Sequence, residues 1–78
     1  MIGDDGAINL AATLPDTIYE LGMVACSISD PGGEELLKWA ANAKGLGMIC
    51  VEGNKMSEKM RDRYTRLDKS SPALTVFV

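Results

Sequence analysis

The fold is decided by residues 46–78, which read LGMICVEGNKMSEKMRDRYTRLDKSSPALTVFV. Residues 46–51 form a continuous apolar run of strand length, which is typical of a strand buried on both faces. Residues 73–78 form a second such run, rich in β-branched residues and without charge. Between the two runs we predict a helix with Ser57 near its N-cap and its end near residue 67 or 68, before residues 70–72 (SSP) break it. Its apolar stripe consists of Met56, Met60, Tyr64 and Leu67. This order predicts a β-α-β unit with parallel strands and a right-handed crossover.

The preceding segment extends the same alternation. Residues 30–33, DPGG, predict a turn, and residues 34–43 predict a helix with two glutamates in its first turn. Lys44 and Gly45 predict the end of that helix. Residues 21–28 are apolar and predict a further strand.

The first twenty residues give a weaker pattern. Residues 7–14 and 17–21 look helical, and Pro15 between them suits the first position of a new helical turn. Met1 and Ile2 predict the remnant of an opening strand. We therefore expect one domain, residues 1–78, with a small three-layer α/β fold and a short parallel sheet, a truncated form of the flavodoxin or receiver topology.

The composition of the chain excludes several classes of function. The 78 residues are 46% apolar and 24% charged, as in globular proteins, and carry a formal net charge of −3. Histidine is absent, so no Ser/His, Cys/His or His-metal site exists. No carboxylates, thiols or lysines stand at a spacing typical of a catalytic site. We expect a protein that is not an enzyme.

The two cysteines, Cys26 and Cys50, each lie within an apolar run. A small secreted domain usually carries four or six cysteines, so two buried free thiols in a reducing compartment are predicted. A tetrahedral zinc site needs four Cys or His ligands, and two candidates are too few. We expect neither a metal site nor a cofactor.

The sequence predicts no passage through a membrane. Its apolar stretches are far shorter than the ~18 residues that a membrane helix needs. Residues 1–6, MIGDDG, have neither the basic nor the apolar region of a signal peptide. A cytoplasmic location is the expectation.

Acidic and glycine-rich motifs give no strong catalytic signal. Asp4 and Asp5 invite comparison with the magnesium pocket of a receiver domain, to which Glu52 could add a carboxylate. The phosphoacceptor aspartate and the lysine of that pocket have no counterpart, so no working receiver is expected. Residues 30–33 precede a helix, but Glu34 and Glu35 would repel a bound phosphate.

Charge is distributed unevenly along the chain. Residues 1–54 hold eight acidic and two basic residues, whereas residues 55–78 hold six basic and three acidic ones. The basic region is either a solvated helix face or a binding surface. Trp39 lies off the apolar stripe of its helix, either covering a neighbouring loop or contacting a partner. The candidate partner-binding residues are Trp39, Lys55, Lys59, Arg63, Arg66 and Phe77.

Three segments resemble the core of the F subunits of V/A-type rotary ATPases: residues 47–52 (GMICVE), 57–64 (SEKMRDRY) and 71–76 (SPALTV). In that family a buried strand ends at Thr or Glu, a Glu-rich amphipathic helix follows, and a Pro-Ala-apolar strand returns. Residues 1–5, MIGDD, are similar to the family's opening strand. The resemblance implies a non-catalytic stalk or regulatory subunit that works through protein contacts.

A second resemblance is to the small ribosomal proteins that bind kink-turn RNA. Residues 33–37, GEELL, are similar to that family's Gly-Glu helix start, and residues 57–60, SEKM, to its strand-to-helix passage. This resemblance implies RNA binding through backbone and basic groups at the helix start. The net negative charge makes nucleic acid the less favoured partner.

A third hypothesis needs no family. Small acidic domains of this size commonly act as inhibitors or assembly modules, and the bare strand at residues 73–78 offers an edge for pairing with another chain. Together these observations favour a non-enzymatic interaction or regulatory subunit that binds a protein, either a different chain or a second copy of itself.

Overall fold

The computed structural model describes residues 2–70 and 73–78, in which helices and strands alternate. In chain order the elements are α1 (Gly3–Thr13), β1 (Glu20–Gly22), α2 (Asp30–Asn42), β2 (Met48–Cys50), α3 (Glu58–Ser70) and β3 (Thr75–Phe77). The three strands form one parallel sheet in the order β1-β2-β3. The prediction of a small α/β fold with a short parallel sheet is confirmed.

Within that fold class, the described helices cover only one face of the sheet. Leu21, Ile49 and Val76 share one register row, and Ile49 at its centre is fully buried. Right-handed crossovers in a β1-β2-β3 sheet bring α2 and α3 to the same face. The two helices pack on each other, and α1 packs on the other side of α2. The expected three layers are thus two, and the Cα atoms span 16 Å in the shortest direction.

The core lies between the helix layer and the sheet. Ile28, Leu36, Ile49, Val51 and Tyr64 are the largest fully buried side chains. The predicted stripe is confirmed within α3, since Met60 and Tyr64 are buried and Leu67 packs against the core. Met56 is also buried, but it lies before α3 begins at Glu58. Among the described residues, every buried side-chain nitrogen and oxygen has a hydrogen-bond partner. The core on the helical side is therefore apolar, and the buried polar side-chain atoms described there have hydrogen-bond partners.

The prediction of a turn at residues 30–33 is wrong, because these residues form the first turn of α2. Pro31 suits a first helical turn, where its missing N–H is not needed. A Cβ on Gly32 would lie 2.6 Å from an Asp4 carboxylate oxygen, and a Cβ on Gly33 would lie 2.5 Å from Met56 Sδ. The two glycines therefore allow α1 and α3 to approach α2 from opposite sides.

The strand predicted at residues 21–28 is wrong beyond its start, because β1 ends at Gly22. Residues 23–29 form a loop in which Ala25 and Ser27 adopt positive φ angles of 52° and 57°. Such angles end a strand. Hydrogen bonds from distant parts of the chain hold the loop in this conformation.

The amino-terminal predictions also need correction. The first helix begins at Gly3 and ends at Thr13, whereas the sequence pattern predicts residues 7–14. Residues 17–21 are not helical, since they form a turn and the start of β1, and Pro15 begins no new helix. The expected opening strand is not seen at Ile2, which precedes α1 directly, and Met1 lies outside the described residues.

The carboxyl-terminal elements agree better with the sequence. β2 and β3 are confirmed, although each is three residues long. Ser57 caps α3 as expected, because its Oγ accepts a hydrogen bond from the Met60 backbone N–H at 3.2 Å. The predicted helix break falls partly on Ser71 and Pro72, outside the described residues. None of the helices in the described ranges is long and apolar enough to cross a membrane.

Candidate interaction surface

The second face of the sheet has no layer of secondary structure over it among the described elements. Its side chains lie in two register rows, which consist of Glu20, Met48 and Thr75, and of Gly22, Cys50 and Phe77. The four residues on the outer strands are exposed, and Met48 and Cys50 on the central strand are half-buried. We call these six residues the open face.

The open face is partly apolar. Phe77 is 45% exposed and lies beside Cys50 in the register. Met48 occupies the other row of the same strand, next to Thr75. Parallel sheets normally have both faces covered, which makes an uncovered apolar face unusual for this fold class. The open face combines the apolar side chains of Met48 and Phe77 with the exposed Glu20 carboxylate and Thr75 hydroxyl, a mixture that suits a protein surface.

The carboxyl ends of the strands, where α/β proteins usually bind ligands, are occupied by the chain's own carboxylates. Asp4 on α1 accepts hydrogen bonds from the backbone N–H groups of Ser29 and Gly32 at 2.8 and 3.0 Å, and from the Ser29 hydroxyl. These bonds, the hydroxyl bond foremost, hold the pKa of Asp4 below its ordinary value. Asp4 therefore acts as the cap of α2.

The next helix is capped in the same manner. Asp30 on α2 accepts a hydrogen bond from the Ser57 backbone N–H at 2.7 Å, and this bond holds the pKa of Asp30 below its ordinary value. A helix N-terminus is where phosphate groups bind in many α/β proteins. At α2 and α3 this position is filled by a carboxylate from the preceding helix, which would repel an incoming anion.

Asn54 joins the two loops at the carboxyl ends of the strands. Its Oδ1 accepts from the backbone N–H groups of Cys26 and Ile28 at 2.9 and 3.0 Å. Its Nδ2 donates to the carbonyl oxygens of Met23 and Val51 at 2.6 and 2.9 Å. One side chain therefore fixes the loop after β1 against the loop after β2, and no sequence pattern singles it out beyond its place after a glycine.

The predicted binding residue Arg63 is engaged within the chain. Its guanidinium donates to both carboxylate oxygens of Glu34 at 2.6 and 2.8 Å, which ties α3 to α2. The same bonds lower the pKa of Glu34 and raise that of Arg63. A partner of Arg63 would have to compete with Glu34.

Trp39 lies on the opposite side of α2. Its indole Nε1 donates to the Leu14 carbonyl oxygen at 3.2 Å, and its ring packs against the edge of the core. The Trp39 side chain thus covers the segment that follows α1, which is the first of the two interpretations given above.

The remaining basic candidates lie on the α3 side. Lys55, Lys59 and Arg66 are exposed. Arg66 borders a shallow groove between α2 and α3, with Leu37, Ala41 and Leu67 among its other lining residues. The structure therefore places Lys59, Arg63 and Arg66 along α3, with Lys55 in the segment before it, and separates them from Phe77, which faces away from the helices.

Neither cysteine is in a disulfide. Cys26 and Cys50 are both free and half-buried. The Cys50 thiol lies 3.6 Å from a carboxylate oxygen of Glu52, and the Cys26 thiol lies 3.4 Å from the Val24 carbonyl oxygen. Among the side chains that the structure describes, no group of three Cys, Asp or Glu could hold a metal ion.

Comparison with known proteins gives no family for the chain. No protein-family model matches it, and no match to a curated protein is found. The resemblances to the rotary ATPase family and to the kink-turn proteins stay predictions.

Proposed function

We propose that this protein is a non-enzymatic interaction module that binds another protein through the open face of its sheet. The uncovered apolar face is the observation that carries the proposal. Phe77 is 45% exposed on a parallel sheet whose other face contributes Ile49, Leu21 and Val76 to the core or its border. Full burial of an exposed side chain of this kind contributes roughly 1.5–3 kcal/mol, so covering the exposed part of Phe77 contributes roughly half of that and favours docking there.

The carboxyl ends of the strands, with the loops after β1 and β2, support the same proposal because their polar groups are already used within the chain. At the helix N-termini that would receive a phosphate, Asp4 and Asp30 already accept the backbone hydrogen bonds. Asn54 holds the two adjacent loops in one arrangement through bonds to both. These groups are used to build the fold, so the carboxyl ends of the strands offer few free polar groups, whereas Phe77 on the open face remains exposed.

A regulatory or stalk subunit, as the resemblance to the rotary ATPase family implies, is one form that such a module could take. In that form the open face would dock on a helical partner, and the basic side of α3 would lie outside that interface. RNA binding remains the alternative, and it would use Lys55, Lys59 and Arg66, which are exposed. RNA affinity would fall steeply with salt, whereas apolar docking would not.

A photo-crosslinking amino acid in place of Phe77 tests the proposal in living cells. We expect irradiation to give adducts of discrete mass, because the residue would lie inside the interface. The same amino acid in place of Ala12, an exposed residue of α1, is the matched control. Adducts from position 77 should disappear when Met48→Lys places a charge on the same face.

Equal adducts from both positions, or none from position 77, would contradict the proposal. Light scattering with and without total cellular RNA separates the alternative. A mass increase with RNA that salt reverses, and that Lys55→Glu with Lys59→Glu abolishes, would favour nucleic acid instead. We expect no mass change with RNA.

A further inference from the structure

The two edges of the sheet are protected to different degrees. β1 carries the charged residue Glu20, and charge is a common device against pairing with another chain. Residues 73–78, ALTVFV, contain no charge and no proline. Thr75 and Phe77 of β3 are exposed. The β3 edge is therefore the unguarded one.

The backbone of β3 shows which groups face outward. The Thr75 N–H donates to the Gly47 carbonyl oxygen at 2.9 Å, and the Phe77 carbonyl oxygen accepts from the Val51 N–H at 2.8 Å. Residues 75 and 77 thus turn their backbone groups toward β2. Since strand geometry alternates, Leu74, Val76 and Val78 turn theirs toward the outer edge.

We propose that β3 pairs antiparallel with β3 of a second copy, with Val76 on the two-fold axis. This inference rests on the proposed function and names the partner as the chain itself. Val76 would exchange two backbone hydrogen bonds with its symmetry mate, and Leu74 would pair with Val78 of the other copy. The two sheets would join into one of six strands.

The side-chain pattern around Val76 is self-complementary. In this register Thr75 lies opposite Phe77 of the second copy on the open face, an aromatic–β-branched pair of the kind that stabilises sheets. Leu74, Val76 and Val78, which alternate with them, are apolar and face the helix side. An isologous dimer needs one patch that matches itself, and the segment LTVFV satisfies this requirement about its central residue.

Charge near the edge predicts how the dimer responds to salt. α3 packs against β3, so the pairing brings the α3 helices of the two copies near one another. Among the exposed side chains of α3, the cations Lys59, Arg61 and Arg66 outnumber the carboxylates Glu58 and Asp62, so the helix is net positive in both copies. Salt screens this repulsion, so we expect added salt to tighten the dimer, the opposite of its effect on RNA binding. Because five residues a side bury little area, we expect weak pairing, with a dissociation constant of order 10–100 µM.

Register-specific crosslinking tests the pairing directly. In a background of Cys26→Ser and Cys50→Ala, a chain with Thr75→Cys is mixed with a chain carrying Phe77→Cys and oxidised. Residues 75 and 77 of different copies would form a non-hydrogen-bonded pair, whose Cβ atoms lie about 4.5–5.5 Å apart. We expect rapid heterodimer crosslinking in the mixture and at least tenfold slower crosslinking of either chain alone.

Val76→Pro provides the second measurement. Its ring removes an outward N–H and leaves the ladder to β2 intact. We expect sedimentation at millimolar chain concentration to show a dimer for the native chain and at least a tenfold weaker one for the variant. Circular dichroism establishes that the variant is folded, and the crosslinking result stands even if it is not.

The outcomes separate this inference from the proposed function. A native chain that stays monomeric at millimolar concentration and shows no preference for the 75–77 mixture overturns the pairing of two copies. If position 77 still gives adducts of another protein in cells, the interaction module stands with a different partner. If adducts of twice the chain mass dominate and crosslinking follows the predicted register, both proposals are supported.

Discussion

The covered face and the open face of the sheet consist of alternate residues of the same three strands, yet they differ in almost every contact. On the covered face Ile49 is fully buried, whereas on the open face Phe77 is 45% exposed. The helical side is also tied together by polar groups, such as the Tyr64 hydroxyl on Gly33. The difference shows that the buried core lies on the helical side, whereas the open face contributes little to it.

The largest expected effect on the free energy of unfolding comes from substituting Ile49, and the adjacent Cys50 on β2 provides the comparison. Ile49→Ala creates a cavity in the core and should lower the free energy of unfolding by about 2–5 kcal/mol. Cys50→Ala, on the open face, should lower it by less than about 1 kcal/mol. Urea unfolding followed by circular dichroism measures both. Similar losses for the two variants would show that the open face is packed in the monomer.

The second effect concerns two tyrosines. Tyr64 donates to the Gly33 carbonyl oxygen at 2.8 Å within the core, whereas Tyr19 is 66% exposed. Tyr64→Phe should cost about 1–2 kcal/mol at neutral pH, and Tyr19→Phe should cost almost nothing. Urea midpoints at pH 7 give the comparison.

The same tyrosine predicts an alkaline transition. Burial raises the pKa of Tyr64 above its ordinary value near 10. The neutral phenol's contribution is therefore fully present below pH 10 and is lost as the pH rises through the raised pKa. We expect the urea midpoint of the native chain to fall above pH 10, and Tyr64→Phe to flatten that fall. An identical pH profile in the variant would assign the alkaline transition to another group.

A third and smaller effect lies at the helix caps. Asp4 holds the N-terminus of α2, while Asp5 in the same turn of α1 is exposed. Because the pKa of Asp4 is lowered in the fold, its contribution is present above pH 4 and is lost as the pH falls through the lowered value. We expect Asp4→Asn to lower the urea midpoint at pH 7 and to reduce its fall below pH 4. Asp5→Asn should leave both nearly unchanged, and equal behaviour of the two variants would contradict the cap.

The covered face was largely predictable from the sequence because its signals are local. The apolar run at residues 46–51 and the spacing of Met60, Tyr64 and Leu67 predicted β2 and the packed side of α3. Those patterns need only the chain's own periodicity. The pairing of β2 with β3 followed from the parallel β-α-β rule.

The missed features depend on contacts between distant residues. Gly32 and Gly33 lie in a helix because α1 and α3 approach closely there, and no local pattern shows those neighbours. The loop after β1 departs from a strand where Asn54, 26 residues further on, bonds to Ile28. The open face was also missed, because an unbroken apolar run predicted burial on both sides, whereas the order β1-β2-β3 with right-handed crossovers brings α2 and α3 to the same face.

The smallest effect is expected at the ion pair between α2 and α3. Arg63 and Glu34 bond through both oxygens, but their side chains are 42% and 32% exposed, so water and salt weaken the attraction. We expect Arg63→Gln to lower the urea midpoint slightly in low salt and to match the native chain at high salt, with Arg61→Gln as the control. A large loss that salt does not reduce would mean that the guanidinium stabilises the fold through packing on α2. A small, salt-sensitive loss would assign the stability of the helical side to its apolar core. It would also mean that a partner could take Arg63 from Glu34 at little cost to the fold.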